Sequence, residues 1–326
     1  MKMQNLNAPM ISRGSSAANA GLSLGIDTSC YTTSIAVVDA QGRLIADERR
    51  LLSVQKGSRG LRQSEALFQH IKNVPDLIKE IKPKVRFSDI KTVSVSTKPR
   101  PAEGSYMPVF VGGSGFAGVI ADMLQVPLKC FTHQEGHIMA GIWAANAGHL
   151  MEKAFLSFHI SGGTTELLYV DKTEDGFAID IIGGSKDLHA GQFIDRVGVS
   201  LGLPFPCGPH LEEMALEATE HPILPVSTHE TWIHFSGPET HTQRLISGKD
   251  QREYPQIALG VLKCITDSTA RVIEEAMKQT GRKDVLMVGG VCSNSIMKRL
   301  LLDQFKDRAN IYFARPAFAK IGRAHV

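Results

Sequence analysis

Two segments of the chain repeat one pattern: a short apolar strand, a tight turn of Gly, Ser and Thr residues, and a second apolar strand. The first is GIDTSCYTTSIAVVD, which begins at residue 25, and the second is FLSFHISGGTTELLYVD, which begins at residue 155. After each segment, runs at helical spacing alternate with runs at strand spacing. The repetition predicts two α/β halves, each with a sheet covered by helices.

Length and composition agree with two globular halves. The chain has 326 residues, 43% of them hydrophobic and 21% charged, and about 150 residues per domain is usual. No run approaches the ~18 apolar residues of a membrane helix, and the first twenty residues contain no apolar block typical of a secretory signal. The five cysteines form no CxxC pair, so we expect a reducing, cytoplasmic location. A net charge of +3 permits contact with RNA phosphates without requiring it.

Hydrophobic periodicity predicts the main elements. A β-meander is expected from residue 22 to residue 52, with its tightest turn at residues 39–42. Strands are predicted at residues 92–96, 177–182 and 284–288, and helices at 64–81, 116–124, 192–203, 210–218 and 254–279 and from Asn294.

The turns of the two repeated segments could bind phosphate. The first offers hydroxyl groups after Asp27, and the second has Gly162 and Gly163, which let a ligand approach the backbone where a side chain would block it. Ser and Thr are also ordinary turn residues, so a plain hairpin remains the alternative for the first turn.

The segment HQEGH places His133 and His137 four residues apart. On a helix both imidazoles would project from one face and could share a metal ion. Two polar histidines near a helix start are the alternative. The order differs from the HExxH motif of metalloproteases.

DVLMVGGVCSN, from residue 284, predicts a buried strand that ends in Gly289 and Gly290 and leads into a helix. Glycines before a helix N-terminus could hold a nucleotide. A helix cap without a ligand is the alternative.

These segments stand in the order and spacing of the TsaD family of actin/hexokinase-like enzymes, which the chain resembles over residues 22–320. GIDTSC resembles the opening phosphate loop, HQEGH resembles HMEGH, and HISGG resembles LVSGG. Further along, AGQFIDRVGVSLGLPFPCGP resembles AGEAFDKxAxxLGLxYPGGP, HFSGPET resembles FSGLKT, MVGGVCSN resembles GGVxxN, and YFARPAF resembles YARPEF.

The resemblance implies an α/β, two-lobed actin/hexokinase-like (ASKHA) fold with a nucleotide cleft between the lobes. The N-terminal lobe would span residues 21–131 and the C-terminal lobe residues 132–320, after a disordered tail at 1–20. The implied activity is metal-dependent transfer of the threonylcarbamoyl group from threonylcarbamoyl-AMP to N6 of the adenosine next to the anticodon in tRNA. TsaB-like and TsaE-like proteins are the implied partners.

The same resemblance assigns site residues. His133 and His137 would bind one divalent metal ion, iron or zinc, and the substrate is an adenine nucleotide, with Asp195 orienting the donor or its ribose. The positions implied for substrate binding are His159, Ile160, Ser161, Gly162, Gly163, Asp195, Gly208 and Asn294.

Four loops depart from the family pattern. Tyr31 and Thr32 replace an acidic pair, residues 98–101 replace a GPG loop, Thr164 replaces a histidine, and Gln192 replaces a glutamate. The alternative function is therefore a non-catalytic or altered-substrate nucleotide-binding paralogue of TsaD. A protease is disfavoured, because no Ser/His/Asp, Cys/His or HExxH set stands out.

The end of the chain also departs from the family, in which an Asp that completes the metal site follows the ARPEF segment. Counted from Pro316, that Asp would stand where this sequence has Ile321. The hexapeptide at 321–326 is what one reading frame of a common sequencing adapter encodes before a stop codon. We therefore expect it to be an assembly artefact and the natural gene to continue, with a real C-terminus as the alternative.

Overall fold

The chain forms two compact units, which divide between Gly148 and His149. The computed structural model describes residues 21–54, 61–101, 103–174, 176–248 and 250–314, so both predicted tails lie outside the described residues. Sequence motifs had placed the boundary at residue 131. The structure assigns residues 132–148 to the first unit, because a strand ending at Thr132 pairs with that unit's sheet and the helix after it packs there.

Within its described residues, the first unit contains a five-stranded sheet and three α-helices. Its elements in chain order are β1 (Leu22–Asp27), β2 (Thr32–Val38), β3 (Leu44–Leu51), α1 (Gln63–Ile81), β4 (Ile90–Lys98), α2 (Val109–Leu124), β5 (Leu128–Thr132) and α3 (His133–Ala145). The strand order is β3-β2-β1-β4-β5. The antiparallel pairing of β1 with β2 and of β2 with β3 confirms the predicted meander, and β4 and β5 run parallel to β1.

Alternating side chains of these strands build the first core. Ile26 on β1, Ile35 on β2 and Val95 on β4 are buried, as are Val74 and Leu77 on α1. Because alternate residues of a strand point to opposite faces, β1 carries its apolar residues into the core and ends at the polar Asp27. The sheet therefore delivers a carboxylate to the carboxyl end of β1.

The second unit contains a seven-stranded sheet within the described residues. Its elements are β6 (Phe155–Ile160), β7 (Thr165–Lys172), β8 (Phe177–Ser185), α4 (Ala190–Ser200), α5 (Gly208–Ala215), β9 (Thr228–His229), β10 (Trp232–Ile233), α6 (Ser236–Ser247), α7 (Tyr254–Thr280), β11 (Asp284–Val288), α8 (Ser295–Phe305) and β12 (Asn310–Phe313). The order is β12-β11-β6-β7-β8-β10-β9, in which β6, β7 and β8 form an antiparallel meander. Strand β11 runs parallel to β6 and to β12.

Helix α7 supplies much of the second core. It buries Val261, Ile265 and Ile273, and its buried hydroxyls at Thr266 and Ser268 donate to the carbonyl oxygens four residues earlier. These bonds satisfy polar groups that would otherwise be costly to bury. None of the described helices combines the length and the apolarity needed to cross a bilayer.

Candidate functional site

The start of α3 is fixed by a capping box. Thr132 Oγ1 accepts a hydrogen bond from the backbone N–H of Glu135, and Glu135 Oε2 accepts one from the N–H of Thr132. Such reciprocal bonds satisfy two donors that a helix start leaves unpaired. The box makes His133 the first residue of α3, and it gives Glu135 a structural role.

The two predicted metal-binding histidines converge on this helix. The Nε2 atoms of His133 and His137 lie 2.8 Å apart, and the ring centroids are 4.3 Å apart in an edge-to-face arrangement. The i, i+4 spacing brings both rings to one face, as the sequence predicted.

A half-buried carboxylate orients the first of these rings. Asp27 Oδ2, at the end of β1, lies 2.9 Å from His133 Nδ1, and Asp27 Oδ1 accepts the backbone N–H of Ser29. Burial opposes charge on both groups, but their mutual hydrogen bond and attraction outweigh it, so the pKa of Asp27 is lowered. The pKa of His133 is raised to about 9, against its burial, by Asp27 and then by Cys30.

This donor set fits part of a divalent metal site. A carboxylate that holds Nδ1–H leaves Nε2 to bind metal, which is the arrangement usual for histidine ligands, and imidazole nitrogens suit iron and zinc. Within the described ranges, no group of three or more His, Cys, Asp or Glu side chains is placed to hold one ion. The position at which the family's third ligand is expected, Ile321, lies outside those ranges. His133 and His137 thus fit as two ligands of the ion.

In the second unit, His159 and Ile160 end β6, Ser161 to Gly163 form the turn after it, and Asn294 follows β11, whereas Asp195 lies on α4 and Gly208 begins α5. Val288 of β11 pairs with His159 of β6, so the turns after both strands meet at one edge of the sheet. Gly289 has φ +100°, and a Cβ there would lie 2.3 Å from the Ile160 carbonyl oxygen. Glycine is therefore required for this close approach.

The turn at residues 161–164 is backed by the start of α4. The N–H of Gly191 donates to Ser161 O, and a Cβ at Gly191 would lie 2.5 Å from Gly162 Cα. By contrast, a Cβ at Gly162 or Gly163 would have no neighbour within 4 Å. The turn thus packs tightly on the helix side and is open on the other, which suits a ligand that contacts the backbone.

Two carboxylates of the second unit accept backbone N–H groups at or just before helix starts. Asp195 Oδ1 on α4 accepts the N–H of Cys207, the residue before Gly208 and α5. Glu212, one turn into α5, accepts the backbone N–H of Ser295 at the start of α8. The body of α4 is thus bonded to the residue before α5, and α5 is bonded to the start of α8. Helix N-termini such as those of α5 and α8 favour anions.

Asn294 is the N-cap of α8. Its Oδ1 accepts the N–H of Met297, as the helix-cap alternative described. Among the predicted substrate-binding residues, the turn after β6 therefore contacts the start of α4 and Gly289 after β11, and Asp195 of α4 contacts the residue before Gly208.

Comparison with known sequences decides the family. A sequence model described as TsaD, tRNA N6-adenosine threonylcarbamoyltransferase, matches residues 50–325. The chain belongs to the TsaD family. A tRNA N6-adenosine threonylcarbamoyltransferase of Archaeoglobus fulgidus is 27% identical over 295 residues, which cover 90% of this chain and 85% of that relative.

Solved structures confirm the actin/hexokinase-like α/β fold of this TsaD-family chain. Full-length HypF in its phosphate- and nucleotide-bound form superposes with a TM-score of 0.54 at 12% identity, over 90% of this chain and 44% of that one. HypF of T. kodakarensis gives 0.57 at 12% identity, over 94% of this chain and 46% of that one. The chain thus spans under half of either HypF chain, and the likeness concerns the fold.

Three of the segments that depart from the TsaD pattern have local structural roles. Thr164 closes the turn, because its carbonyl oxygen accepts the N–H of Ser161. Gln192 Oε1 accepts the N–H of His189 at the start of α4, a bond that a glutamate could also make. In the loop at 98–101, the carbonyl oxygen of Pro99 accepts the N–H of Gln134 on α3.

The structure adds two residues that the sequence did not single out as site residues. Asp27 orients His133, and Glu212 connects α5 to α8. The signal for Asp27 was a carboxylate directly after a buried strand. Glu212 stands four residues after Gly208, and that spacing puts both on one face of α5.

Proposed function

We propose that this TsaD-family protein transfers the threonylcarbamoyl group from threonylcarbamoyl-AMP to N6 of the adenosine next to the anticodon in tRNA. The observation that carries the proposal is the open turn at Gly162 and Gly163, held by Gly191 against the start of α4. An acyl-adenylate has a phosphate that such a turn can receive.

In the proposed complex, the second unit binds the AMP part of the donor. Backbone N–H groups of the turn receive the phosphate, and the glycines after β11 give the nucleoside room beside the backbone. Asp195 and Glu212 each keep one carboxylate oxygen on a backbone donor, at Cys207 and Ser295. Their remaining oxygens are suited to accept hydrogen bonds from ribose hydroxyls.

His133 and His137 would hold the divalent metal ion. That ion supplies Lewis-acid polarisation of the donor when bound. Asp27 keeps the imidazole of His133 oriented by accepting its Nδ1–H, so Nε2 remains directed toward His137. Iron and zinc are the metals proposed for these nitrogen ligands.

The transfer itself is an acyl substitution. The N6 amine of the acceptor adenosine attacks the carbamoyl carbon, the bond from that carbon to the phosphate oxygen breaks, and AMP leaves with the bonding electrons. N6 loses one proton, which passes to solvent or to phosphate. The task of the protein is to position both reactants and to stabilise the charge on the departing phosphate.

A direct assay tests the proposal. The purified full-length chain is incubated with threonylcarbamoyl-AMP, a divalent metal and unmodified tRNA, and nucleosides are analysed by mass spectrometry. A second reaction adds TsaB-like and TsaE-like proteins, the proposed partners. We expect threonylcarbamoyladenosine in at least one reaction and none with Gly163→Val. Absence of product from both wild-type reactions would contradict the proposal.

A second candidate is a nucleotide-binding paralogue without this transferase activity or with another substrate. The observation that favours it is the neutral Gln192 at the start of α4, together with Thr164 in the adjacent turn. Calorimetry with AMP and ADP separates the two candidates. Nucleotide binding without product, even after Gln192→Glu and Thr164→His are introduced together, would favour the paralogue.

A further inference from the structure

His70 is a fully buried histidine on α1 that lies beside the turn after β1. Its Nδ1 is 2.8 Å from Thr33 Oγ1, and its Nε2 is 3.3 Å from the carbonyl oxygen of Cys30. Asn73 Nδ2, one helical turn further along α1, donates to the same Thr33 Oγ1 at 3.1 Å. Three side chains and one backbone carbonyl thus form a chain of hydrogen bonds.

The partners determine which ring nitrogen carries the proton. A carbonyl oxygen can only accept, so Nε2–H of His70 donates to Cys30 O. Nδ1 is then the acceptor, and the Thr33 hydroxyl donates to it while accepting from Asn73. The neutral ring satisfies every bond, in agreement with burial, which lowers the pKa of His70.

The carbonyl held by His70 belongs to a residue in an unusual conformation. Cys30 has φ +49°, in the left-handed region that residues with a Cβ adopt at a cost. The turn that contains Cys30 begins at Asp27, whose Oδ1 accepts the N–H of Ser29 and whose Oδ2 holds His133. A change in the Cys30 conformation therefore reaches the Asp27 carboxylate through the adjacent Ser29, whose N–H that carboxylate holds.

We propose that His70 is a positioning residue: its bond to the Cys30 carbonyl fixes the turn that presents Asp27 to His133. This inference rests on the proposed metal-binding role of His133 and His137. His70 acts through the backbone, because one of its hydrogen bonds holds the Cys30 carbonyl and the other orients the ring against Thr33. A histidine on α1, distant in sequence from the Asp27 turn and from His133 and His137, thereby sets the geometry of the metal-binding nitrogens.

Four single variants of the full-length protein separate positioning from general stability. His70→Met removes both ring nitrogens and fills the space with a flexible side chain. His70→Gln keeps one acceptor and one donor. Thr33→Val loosens the ring from its other side, and Val74→Ala removes buried volume from the same helix without touching the network. Each is measured for urea unfolding, for Co²⁺ affinity and for the Co²⁺ d–d absorption band.

We expect His70→Met to weaken Co²⁺ binding by about tenfold or more, as loss of a residue that orients a metal ligand usually does, and to shift the absorption band. His70→Gln should recover most of the affinity. Thr33→Val should show a smaller loss in the same direction, and Val74→Ala should lose stability with wild-type affinity and band. Wild-type affinity and band in both His70→Met and Thr33→Val would overturn the proposal.

A metal-free measurement keeps this inference distinct from the proposed function. In protein with ¹⁵N-labelled histidine, the Nδ1–H proton of His133, held by Asp27, is assigned by its absence in His133→Gln. We expect it to be protected in the wild type and in Val74→Ala and to exchange rapidly in His70→Met. If the wild type binds no Co²⁺, the metal site is contradicted, and the exchange rate alone decides the role of His70.

Discussion

Two glycines of the second unit differ in how closely other atoms approach them. This difference distinguishes a glycine that the fold requires from one at which a ligand can bind. A Cβ at Gly163 would meet no atom within 4 Å, whereas a Cβ at Gly191 would meet Gly162 Cα at 2.5 Å and Ser161 O at 2.6 Å. Gly163 is therefore free to be substituted as far as the fold is concerned. Gly191 is required for packing, because the atoms it would strike belong to the backbone.

We therefore predict that Gly163→Val abolishes binding of AMP and ADP in calorimetry. Each tenfold loss of affinity corresponds to about 1.4 kcal/mol of binding free energy. Its free energy of unfolding should remain within about 0.5 kcal/mol of the wild type. The matched variant Gly191→Ala should instead lose about 1–3 kcal/mol of stability through overpacking. Wild-type nucleotide affinity in folded Gly163→Val would show that the turn does not receive the phosphate.

The two imidazoles make a second prediction at the residue scale. His137→Ala should strip the metal, because one remaining imidazole cannot chelate the ion and two ligands already leave the site incomplete. His133→Ala should do the same and should also leave Asp27 without its partner. Elemental analysis of both variants and of the double variant checks this outcome. The exposed His221 of the second unit serves as the control through His221→Ala. A stoichiometric metal content in the double variant would refute the assignment.

Among the elements, α2 shows why a glycine-rich segment was misread. The sequence predicted a helix from residue 116, but α2 begins at Val109 and includes Gly112 and Gly113. A Cβ at Gly113 would lie 2.6 Å from Thr28 Oγ1, and one at Gly112 would lie 3.0 Å from Leu67 Cδ1. These glycines serve close packing of a helix, and a turn signal and a packing signal look alike in sequence.

The start of α6 depends on a residue far away in the chain. Asp187 accepts the backbone N–H groups of Phe235 and Ser236 and the hydroxyl of Ser236. Local capping signals precede a helix directly, so a cap supplied from 49 residues away leaves no local pattern. The helix was accordingly absent from the prediction.

Strand β12 provides a prediction at the element scale. Asp284, at the start of β11, accepts from Lys153 Nζ at 2.6 Å, from Asn310 at 3.0 Å and from the Tyr312 hydroxyl at 2.9 Å, the last two on β12. Asp284→Ala should cost about 1–2 kcal/mol of unfolding free energy, given the partial exposure of Lys153. Asp303→Ala, at an exposed position of α8, should change the unfolding free energy by less than about 0.5 kcal/mol.

The stability that the Asp284 carboxylate contributes also depends on pH. Burial would raise the pKa of Asp284. The hydrogen bonds from Lys153, Asn310 and Tyr312 outweigh the effect of burial and hold this pKa below its usual 3.8. A lowered folded pKa contributes stability above the unfolded pKa, and that stability disappears as the pH falls through the folded value. The difference between wild type and Asp284→Ala in urea unfolding should therefore be constant above about pH 5 and shrink below pH 3.8. A difference that grows as the pH falls would contradict the assigned sign.

For the whole molecule, the two units have separate hydrophobic cores and one tryptophan each. Val74 belongs to the first core and Phe193 to the second. Trp143 lies on α3, where its Nε1–H donates to Gly42 O, and Trp232 lies on β10. Trp232→Phe therefore leaves a fluorescent reporter of the first unit, and Trp143→Phe leaves a reporter of the second.

We predict that the fluorescence of each tryptophan reports the unfolding of the core in its own unit. Val74→Ala should shift the urea midpoint of Trp143 fluorescence more than that of Trp232, and Phe193→Ala should do the reverse, with costs of about 2 and 3–5 kcal/mol. Domains with their own cores unfold as separate cooperative units. Equal shifts of both signals in each variant would show that the chain unfolds as one cooperative unit.

The sequence by itself determined the fold class, the family and the pair of histidines on one helix face. Each of these depends on local periodicity or on motif order, which are written along the chain. The strand at 284–288 was predicted with the bounds that the structure has, because a continuous apolar run between turn residues needs no distant partner.

Only the tertiary structure decided which groups those motifs meet. Asp27 reaches His133 because β1 and α3 end and begin at one edge of the first sheet, 106 residues apart in the chain. Glu212 on α5 reaches Ser295 on α8, and His70 on α1 reaches Cys30, because these elements pack together although they are distant in the chain. Contacts between residues distant in sequence depend on how strands pair and helices pack, and no local pattern specifies those choices.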